Sequence, residues 1–327
     1  MFSNQPVAIY AIVCIIFEME NTFVDYTKRI ARPHSFVPLG IGDDAALLAN
    51  IPNMDMVVAT DMLCDGVHFI SSEVTPQQIG RKALAVNLSD IAAMTATPVA
   101  AFVSVVFPND VDASYAQQVM DGVADLADEF DVSVAGGDTN SWNGKLAINV
   151  CLTGYVARNN AKLRSTAEPG DAILVTGELG GSILGHHLSF RPRVDEALSL
   201  ARSADINACM DITDGILLDL SRMMDSSKTG AVIEFDQIPV SAAANKLALE
   251  TNRSPLDHAL TDGEDFELLF TLPAVDAKSL LRHPPFEHLA VRQVGRVIGE
   301  AAGVFREMAD GSLLNIPPDG FEHKWKS

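Results

Sequence analysis

Strand-like and helix-like segments alternate along this chain, and this alternation constrains its fold more than any other sequence feature. The strand-like runs are residues 56–63, which lead into a loop, 99–107, 132–140, which meet a Gly-rich turn at Gly136-Gly137, and 145–156. The helix-like segments are residues 75–96 and 113–130. Pro76 suits the first position of a helix, and Ala83, Val86, Ile91 and Met94 recur with helical spacing. The alternation predicts a domain that combines helices with a sheet, of the α/β (α+β) class.

A polar, turn-rich stretch at residues 157–171 interrupts this pattern and contains the pair Pro169-Gly170. A second set of elements follows: a strand with a Gly-rich loop at 172–182, a loop entering a helix at 211–224, and a loop feeding a strand at 262–272. The chain has 327 residues, 48% of them apolar, which suffices for two cores. We therefore predict two domains, residues 19–160 and 161–327.

The N-terminus is unusual because residues 6–17 are an apolar run of twelve residues with one proline. A membrane span needs about 20 residues, and the flanks do not match those of a signal peptide. If translation starts at Met19, an amphipathic helix carrying Phe23, Tyr26 and Ile30 on one face opens the chain. We therefore predict that residues 1–18 are a dispensable extension; an extra core or interface segment and a membrane role are the alternatives.

The net charge and the cysteine content bear on which partners and which cellular compartment suit this chain. A net charge of −20 argues against nucleic acid as a partner, because no basic stripe is available to neutralise its phosphates. A phosphate ligand remains compatible with this charge if divalent cations lie between it and the protein. The four cysteines show no metal-ligand spacing, which is typical of reduced thiols in a cytosolic protein without a membrane role.

Aspartates recur beside glycines and at the predicted ends of strands and helices. In GIGDDAALL, residues 40–48, Asp43 and Asp44 are adjacent and no basic residue lies in the stretch. Further aspartates in comparable positions are Asp61, Asp65, Asp138, Asp211 and Asp214, and Asp90 lies within an apolar helix, where a lone carboxylate would be costly. Each alone could be a helix cap or a turn residue. The set favours Mg²⁺ or Mn²⁺, which prefer hard oxygen ligands, and hence phosphoryl transfer.

Motifs of the common nucleotide-binding loops are missing, so ATP would be bound by another scaffold. Seven other motifs occur in order: GIGDDAALL, ATDMLCDGVHF, KALAVNLSDIAAM, VAGGDTN, LRSTAEPGD, MDITDGILLDL and GEDFELLFT. In this order they resemble the thiamine-monophosphate kinase family of the aminoimidazole-ribonucleotide-synthetase superfamily, from about residue 19 onward. The resemblance implies a two-domain synthetase-like fold and ATP-dependent phosphorylation of thiamine monophosphate to thiamine diphosphate. It also implies a homodimer built on the N-terminal domains, with the active site in the cleft between domains.

The resemblance also implies roles for individual residues. The ligands of several Mg²⁺ ions would be Asp44, Thr60, Asp61, Asp90, Asp138, Asp211 and Asp214. The ATP contacts would be Gly137, Asp138, Arg164 and Thr213, and the contacts to thiamine monophosphate would be His68, Glu264 and Phe321. Mg²⁺ would thus compensate the Asp43-Asp44 pair, with Asp44 as the direct ligand and Asp43 in support.

The chemistry of these residue types agrees with such a reaction. A phosphate monoester acceptor is mostly dianionic near pH 7, so it needs relief from charge repulsion and no catalytic general base. Arg164 can contact phosphate as a cationic fork. His68 could equally be a core histidine, Phe321 could be an anchor for the chain end, and Glu264 could have only a turn role.

Two positions depart from the family pattern. Ala59 stands where a Ser or Thr usually precedes the Thr-Asp pair, and Asp262 replaces the first glycine of the usual GGEDYEL. The alternatives are another ATP-using member of the superfamily, such as a selenophosphate or aminoimidazole-ribonucleotide synthetase, and a catalytically silent nucleotide-binding regulator. The retained aspartates argue against the silent regulator.

Overall fold

The structure is a computed structural model that describes residue 23 and residues 25–41, 46–299 and 302–321. The strands are Met54–Cys64 (β1), Thr97–Pro108 (β2), Ser133–Trp142 (β3), Ala147–Ala157 (β4), Asp171–Thr176 (β5), Ala208–Asp211 (β6), Gly230–Ile233 (β7), Leu268–Pro273 (β8), Val291–Ile298 (β9), Gly303–Glu307 (β10) and Leu313–Ile316 (β11). The helices are Pro76–Ala93 (α1), Ala113–Glu129 (α2), His186–Ser189 (α3), Val194–Ser203 (α4), Ile216–Ser227 (α5), Ala242–Leu247 (α6), Pro255–Thr261 (α7) and Ala274–Arg282 (α8).

The chain divides into two compact units. The first comprises the described residues up to Pro52 together with Val58–Asn87 and Pro98–Thr153, and the second comprises Asn53–Val57, Leu88–Thr97 and the chain from Gly154 onward. The predicted extension, residues 1–18, lies outside the described residues, so its dispensability stays a prediction.

The first unit has a four-stranded sheet in the order β1-β4-β2-β3, in which β2 and β3 run parallel. Helices α1 and α2 approach each other very closely, because a Cβ on Gly80 would lie 1.8 Å from the Val119 carbonyl oxygen. Only glycine permits that approach. Ala83 and Val86, two of the α1 residues that recur with helical spacing, are buried, as the helical periodicity predicts.

The helical segment at residues 25–30 packs on this unit. The Phe23 ring is buried and contacts the Phe107 ring edge to face at 6.0 Å between centroids. The Tyr26 hydroxyl donates to the Asp121 carboxylate. Burial and this hydrogen bond raise the pKa of Tyr26 to about 12. The predicted amphipathic segment therefore has a buried face in the part that is described.

Strand β3 corrects the expectation that the chain turns at Gly136-Gly137. The strand continues to Trp142 and pairs with β2, with Asp138 opposite Ser104. A Cβ on Gly137 would lie 1.8 Å from the Val103 carbonyl oxygen, so the glycine allows two strands to approach closely. Asp61 likewise lies inside β1, whereas the sequence placed it after a strand end.

The second unit has a seven-stranded sheet in the order β11-β10-β7-β9-β5-β8-β6. Strand β8 pairs antiparallel with both β5 and β6, so Asp211 at the end of β6 lies opposite Leu268 at the start of β8. The core of this unit is rich in β-branched and aliphatic side chains, including the fully buried Ile173, Ile216 and Leu269. None of the described helices has the length and apolar character needed to cross a membrane.

Candidate active site

Two loops of the second unit bring five of the predicted site residues together. The loop after β6 and the loop before β8 are joined by backbone hydrogen bonds, from Glu264 N to Thr213 O (2.7 Å) and from Phe266 N to Ile212 O (2.9 Å). The Phe321 amide donates to the Asp214 carbonyl oxygen at 3.0 Å. The residues brought together are Asp211, Thr213, Asp214, Glu264 and Phe321. They come from three separate segments of the sequence, at positions 211–214, 264 and 321, so the sequence pattern alone could not join them.

Asp219 organises the turn between β6 and α5. Its carboxylate accepts hydrogen bonds from the Thr213 and Asp214 amides, both at 2.9 Å, and one from Arg222 at 3.0 Å. Burial raises the pKa of Asp219 to about 7, aided by the charges of Asp214 and Asp211 and opposed by the backbone hydrogen bond and Arg222. Sequence reasoning missed this residue, although a carboxylate inside the apolar run DGILLDL is the signal that singled out Asp90.

Glycines make the close approach of the two loops possible. Gly215 precedes α5 with φ of 105°, and a Cβ there would lie 2.9 Å from the Thr261 backbone. Gly263 has φ of 77°, and a Cβ would lie 2.6 Å from the Thr213 carbonyl oxygen. A side chain at either position would push the loops apart, so these glycines have a structural reason that is independent of any ligand.

Glu264 is held in a conformation that non-glycine residues rarely adopt. Its φ is 54°, and that of Phe266 is 51°. Such backbone costs about 1–3 kcal/mol per residue and is concentrated at functional sites. The Glu264 amide is bound to Thr213 and its carbonyl oxygen accepts from Ser182 Oγ at 2.6 Å. The surrounding contacts therefore fix the strained peptide, and its side chain is half-buried.

Asp90, Asp211 and Arg164 lie in the second unit as well. Ser89 Oγ donates to the Asp211 carboxylate at 2.5 Å, which joins the end of α1 to the end of β6, and Asp90 follows directly. Leu163 forms a parallel bridge with Ala208, so Arg164 lies beside the strand that ends at Asp211. The Arg164 side chain is exposed, which leaves the guanidinium accessible to a phosphate.

Predicted residues of the first unit lie on its sheet. Thr60 is exposed and donates to the Asn149 side chain at 3.3 Å, while Asp61, its neighbour in β1, is half-buried and points to the opposite face. Gly137 and Asp138 are both exposed in the second half of β3.

His68 is fixed within a turn of the first unit. Its Nδ1 accepts a hydrogen bond from the Cys64 amide at 3.0 Å, which places the proton of the neutral ring on Nε2. The fully buried Lys82 donates to the His68 carbonyl oxygen at 2.7 Å. The ring is half-buried. A half-buried ring fixed in this way is compatible with a substrate contact and equally with a structural role.

The predicted metal ligands are therefore brought together only in part. Asp44 lies outside the described residues. Within the ranges that the structure does describe, no group of three or more His, Cys, Asp or Glu side chains has an arrangement that could hold a metal ion. The ligand set taken as a whole stays a prediction.

Comparison with known proteins identifies the two halves of the chain. The family model for the N-terminal domain of AIR synthase related proteins matches residues 42–156, and the model for the C-terminal domain matches residues 168–306. The chain thus contains both domains of AIR synthase related proteins, and the two-domain α+β fold is confirmed.

Individual relatives, with curated names or solved structures, identify the family within the AIR synthase related proteins. A thiamine-monophosphate kinase of Rhodopirellula baltica is 39% identical over 93% of this chain and 97% of its own length. The crystal structure of thiamine-monophosphate kinase from Stenotrophomonas maltophilia K279a is 32% identical with a TM-score of 0.76, and the match covers 89% of this chain and 96% of that one. AaThiL complexed with AMPPCP and TMP is 26% identical with a TM-score of 0.73, over 99% of this chain and 100% of that one. This chain belongs to the thiamine-monophosphate kinase family of AIR synthase related proteins.

Proposed function

We propose that this protein transfers the terminal phosphoryl group of ATP to thiamine monophosphate and so forms thiamine diphosphate. The relatives that carry this activity in their names support the proposal, as does the related AaThiL complex, which contains AMPPCP and TMP. The observation that carries it is the convergence of Asp211, Thr213, Asp214 and Glu264 on two hydrogen-bonded loops. This convergence joins residues assigned to metal, nucleotide and substrate in one place.

The proposed reaction needs no general base from the protein. The acceptor phosphate is mostly dianionic near pH 7 and is itself the nucleophile. The protein has to hold two anionic groups in line and reduce their repulsion. The described structure contains one buried His–Asp pair, His258 with Asp262, but His258 is only 2% exposed and its second nitrogen contacts Thr251. That pair is therefore structural in character.

Divalent cations fit the donors of the second unit. Asp211 and Asp214 offer hard oxygen ligands, and their charges contribute to the raised pKa of the buried Asp219. Negative charge thus accumulates at this turn despite the ion pairs that Arg222 makes with Asp214 and Asp219. The residues that would hold Mg²⁺ are Asp44, Thr60, Asp61, Asp90, Asp138, Asp211 and Asp214. Bound Mg²⁺ would neutralise phosphate charge during transfer.

The proposed contacts to ATP and to thiamine monophosphate are supported by different observations. Arg164 is exposed beside β6 and can bind a phosphate through its planar guanidinium. The Phe321 ring is 48% exposed while its amide is anchored to Asp214, so the ring can stack on a heterocycle. Glu264 would pair with the amine-bearing heterocycle of thiamine. Gly137 and Asp138 are proposed as ATP contacts of the first unit, and His68 as its substrate contact.

Metal dependence tests this proposal. The protein is incubated with ATP, thiamine monophosphate and Mg²⁺, and thiamine diphosphate and ADP are quantified by chromatography. We expect turnover with Mg²⁺, retained turnover with Mn²⁺, and background levels in excess chelator, because the proposed ligands are hard oxygens. Full turnover in chelator would contradict the metal-dependent reading, and nucleotide binding without product would favour a silent regulator.

The homodimer is a second part of the proposal. Strand β1 is an edge strand, and its outward-facing residues include Val58 and Met62, which are 59% and 58% exposed. Exposed apolar side chains on an edge strand are typical of interaction surfaces. We propose that this face of the first unit forms the two-fold interface, which would remove both side chains from water.

Val58→Asp is expected to convert the dimer into a monomer, because the interface would have to bury an unpaired carboxylate. Sedimentation velocity of the wild type and the variant measures the change. Leu249→Asp serves as the control, since Leu249 is 86% exposed in the second unit and its replacement should leave the dimer intact. A wild type that sediments as a monomer, or a Val58→Asp protein that remains dimeric, would contradict this interface.

A further inference from the structure

Three hydrogen bonds from consecutive residues join the Gly-rich loop after β5 to the loop before β8. The Gly180 amide donates to Asp265 at 2.8 Å, the Gly181 amide donates to Asp262 at 3.3 Å, and Ser182 Oγ donates to the Glu264 carbonyl oxygen at 2.6 Å. Asp262 and Asp265 thus flank Glu264, and their side chains anchor both sides of the strained peptide to one rigid segment.

Two basic residues, Arg253 and His258, contact the carboxylate of Asp262. One carboxylate oxygen accepts from Arg253 at 2.7 Å, and the other contacts His258 Nδ1 at 2.8 Å. The side chain is 13% exposed, so these contacts are partly shielded from water. Asp262 also ends α7, since its amide donates to the His258 carbonyl oxygen. Its carboxylate therefore ties the end of a helix to the Gly-rich loop.

We propose that Asp262 is a positioning residue that fixes Glu264 for the binding of thiamine monophosphate. This inference rests on the proposed function, in which Glu264 contacts that substrate. Glycine, which the family pattern has at this position, could not make the side-chain contacts to Arg253, His258 and Gly181. In this chain Asp262 therefore supplies an anchor of its own, and through it the cluster of Arg253, His258 and Asp262 sets the affinity for the substrate that Glu264 contacts.

Asp262→Asn tests the inference by steady-state kinetics. The single carbonyl oxygen of an amide can replace only one of the two carboxylate oxygens, so its NH₂ group would face either Arg253 or the pair of Gly181 and His258. We expect the KM for thiamine monophosphate to rise about 5- to 10-fold while the KM for ATP changes less than about 2-fold, since a misplaced contact weakens only its own ligand. Arg253→Gln removes one anchor from a more exposed position and should give a smaller rise of the same KM.

Asp257→Ala is the matched control. Asp257 belongs to the capping box at the start of α7 and is exposed, so its loss destabilises the same helix without reaching Glu264. We expect a lower melting temperature with unchanged KM values. Equal rises in KM for Asp257→Ala and Asp262→Asn would show that the effect comes from general destabilisation of the helix. That result would overturn the inference.

A double-mutant cycle with Glu264→Gln decides whether Asp262 acts through Glu264. If it does, Asp262→Asn should raise the KM for thiamine monophosphate in the wild type and leave it nearly unchanged in the Glu264→Gln background. The same fold-change in both backgrounds would overturn the inference. A wild type without turnover would overturn the proposed function as well, whereas an active wild type with an unaffected Asp262→Asn variant would overturn this inference alone.

Discussion

Replacing Asp61 with Asn is expected to lower turnover with Mg²⁺, ATP and thiamine monophosphate by roughly 10²-fold or more. The substitution keeps the shape of the side chain and removes the charge of a proposed metal ligand, which weakens phosphate neutralisation in the transition state. In the metal-free protein the melting temperature should be unchanged or slightly higher, because the chain carries a net charge of −20 and loses one negative charge. Product formation and metal-free melting are measured on the same preparation.

Asp55→Asn is the control for this experiment because Asp55 lies on the same strand, β1. Its carboxylate accepts from the Asn159 amide at 2.8 Å and lies near Arg158, so it has a structural role that Asn can partly retain. We expect near-normal turnover. An Asp61→Asn enzyme that melts much earlier and yet keeps normal turnover would mean that Asp61 is structural.

Replacing Arg193 with Met is expected to lower the free energy of unfolding by about 3–5 kcal/mol, since Glu267 would be left buried without its partner. Both guanidinium nitrogens Nε and Nη2 donate to the Glu267 carboxylate, which is 2% exposed. Burial lowers the pKa of Arg193, but the hydrogen bond and the charge of Glu267 reverse this and give a net rise. The backbone carbonyl oxygen of Glu267 also accepts a hydrogen bond from the Ile212 amide. The loop that follows Asp211 should therefore become more mobile in this variant.

Urea unfolding of the metal-free protein measures this effect. Arg191→Met is the matched control, since Arg191 makes an exposed i,i+4 pair with Asp195, and such pairs contribute about 0.3–0.5 kcal/mol. A loss below about 1 kcal/mol in Arg193→Met, or equal losses in both variants, would contradict the idea that the buried pair supports the loops.

Periodicity predicted the main elements of the first unit because it reports which face of an element is buried, but it left strands β7 and β9 to β11 of the second unit unpredicted. The segment 75–96 became α1 at Pro76–Ala93, and the run 99–107 became β2 at Thr97–Pro108. The prediction was wrong at Gly136-Gly137, where the two glycines favoured a turn. There the pairing of β3 with β2 extends the strand, and the glycine permits contact with Val103. Tertiary pairing thus overrode the local preference.

The candidate site was predictable as a set of residue types and unpredictable as a geometry. The sequence placed Asp211 in a loop entering a helix and the motif order assigned it to metal, whereas strand β6, which ends at Asp211, was not predicted. The pairing of Thr213 with Glu264 depends on two loops meeting through backbone hydrogen bonds, which leaves no trace in side-chain periodicity. The positive φ of Glu264 is likewise imposed by its neighbours. The role of Asp219 was in principle visible as a buried charge in an apolar helix.

The fate of the terminal phosphoryl group of ATP tests the central claim most directly. The wild type is incubated with Mg²⁺, thiamine monophosphate and ATP that carries a radioactive terminal phosphate, and the products are separated by chromatography. The proposed function predicts that the label appears in thiamine diphosphate in equal amount to the ADP formed, with no excess of labelled inorganic phosphate. Release of the label as inorganic phosphate, with no label in the thiamine product, would contradict it and would favour a synthetase or a simple ATPase.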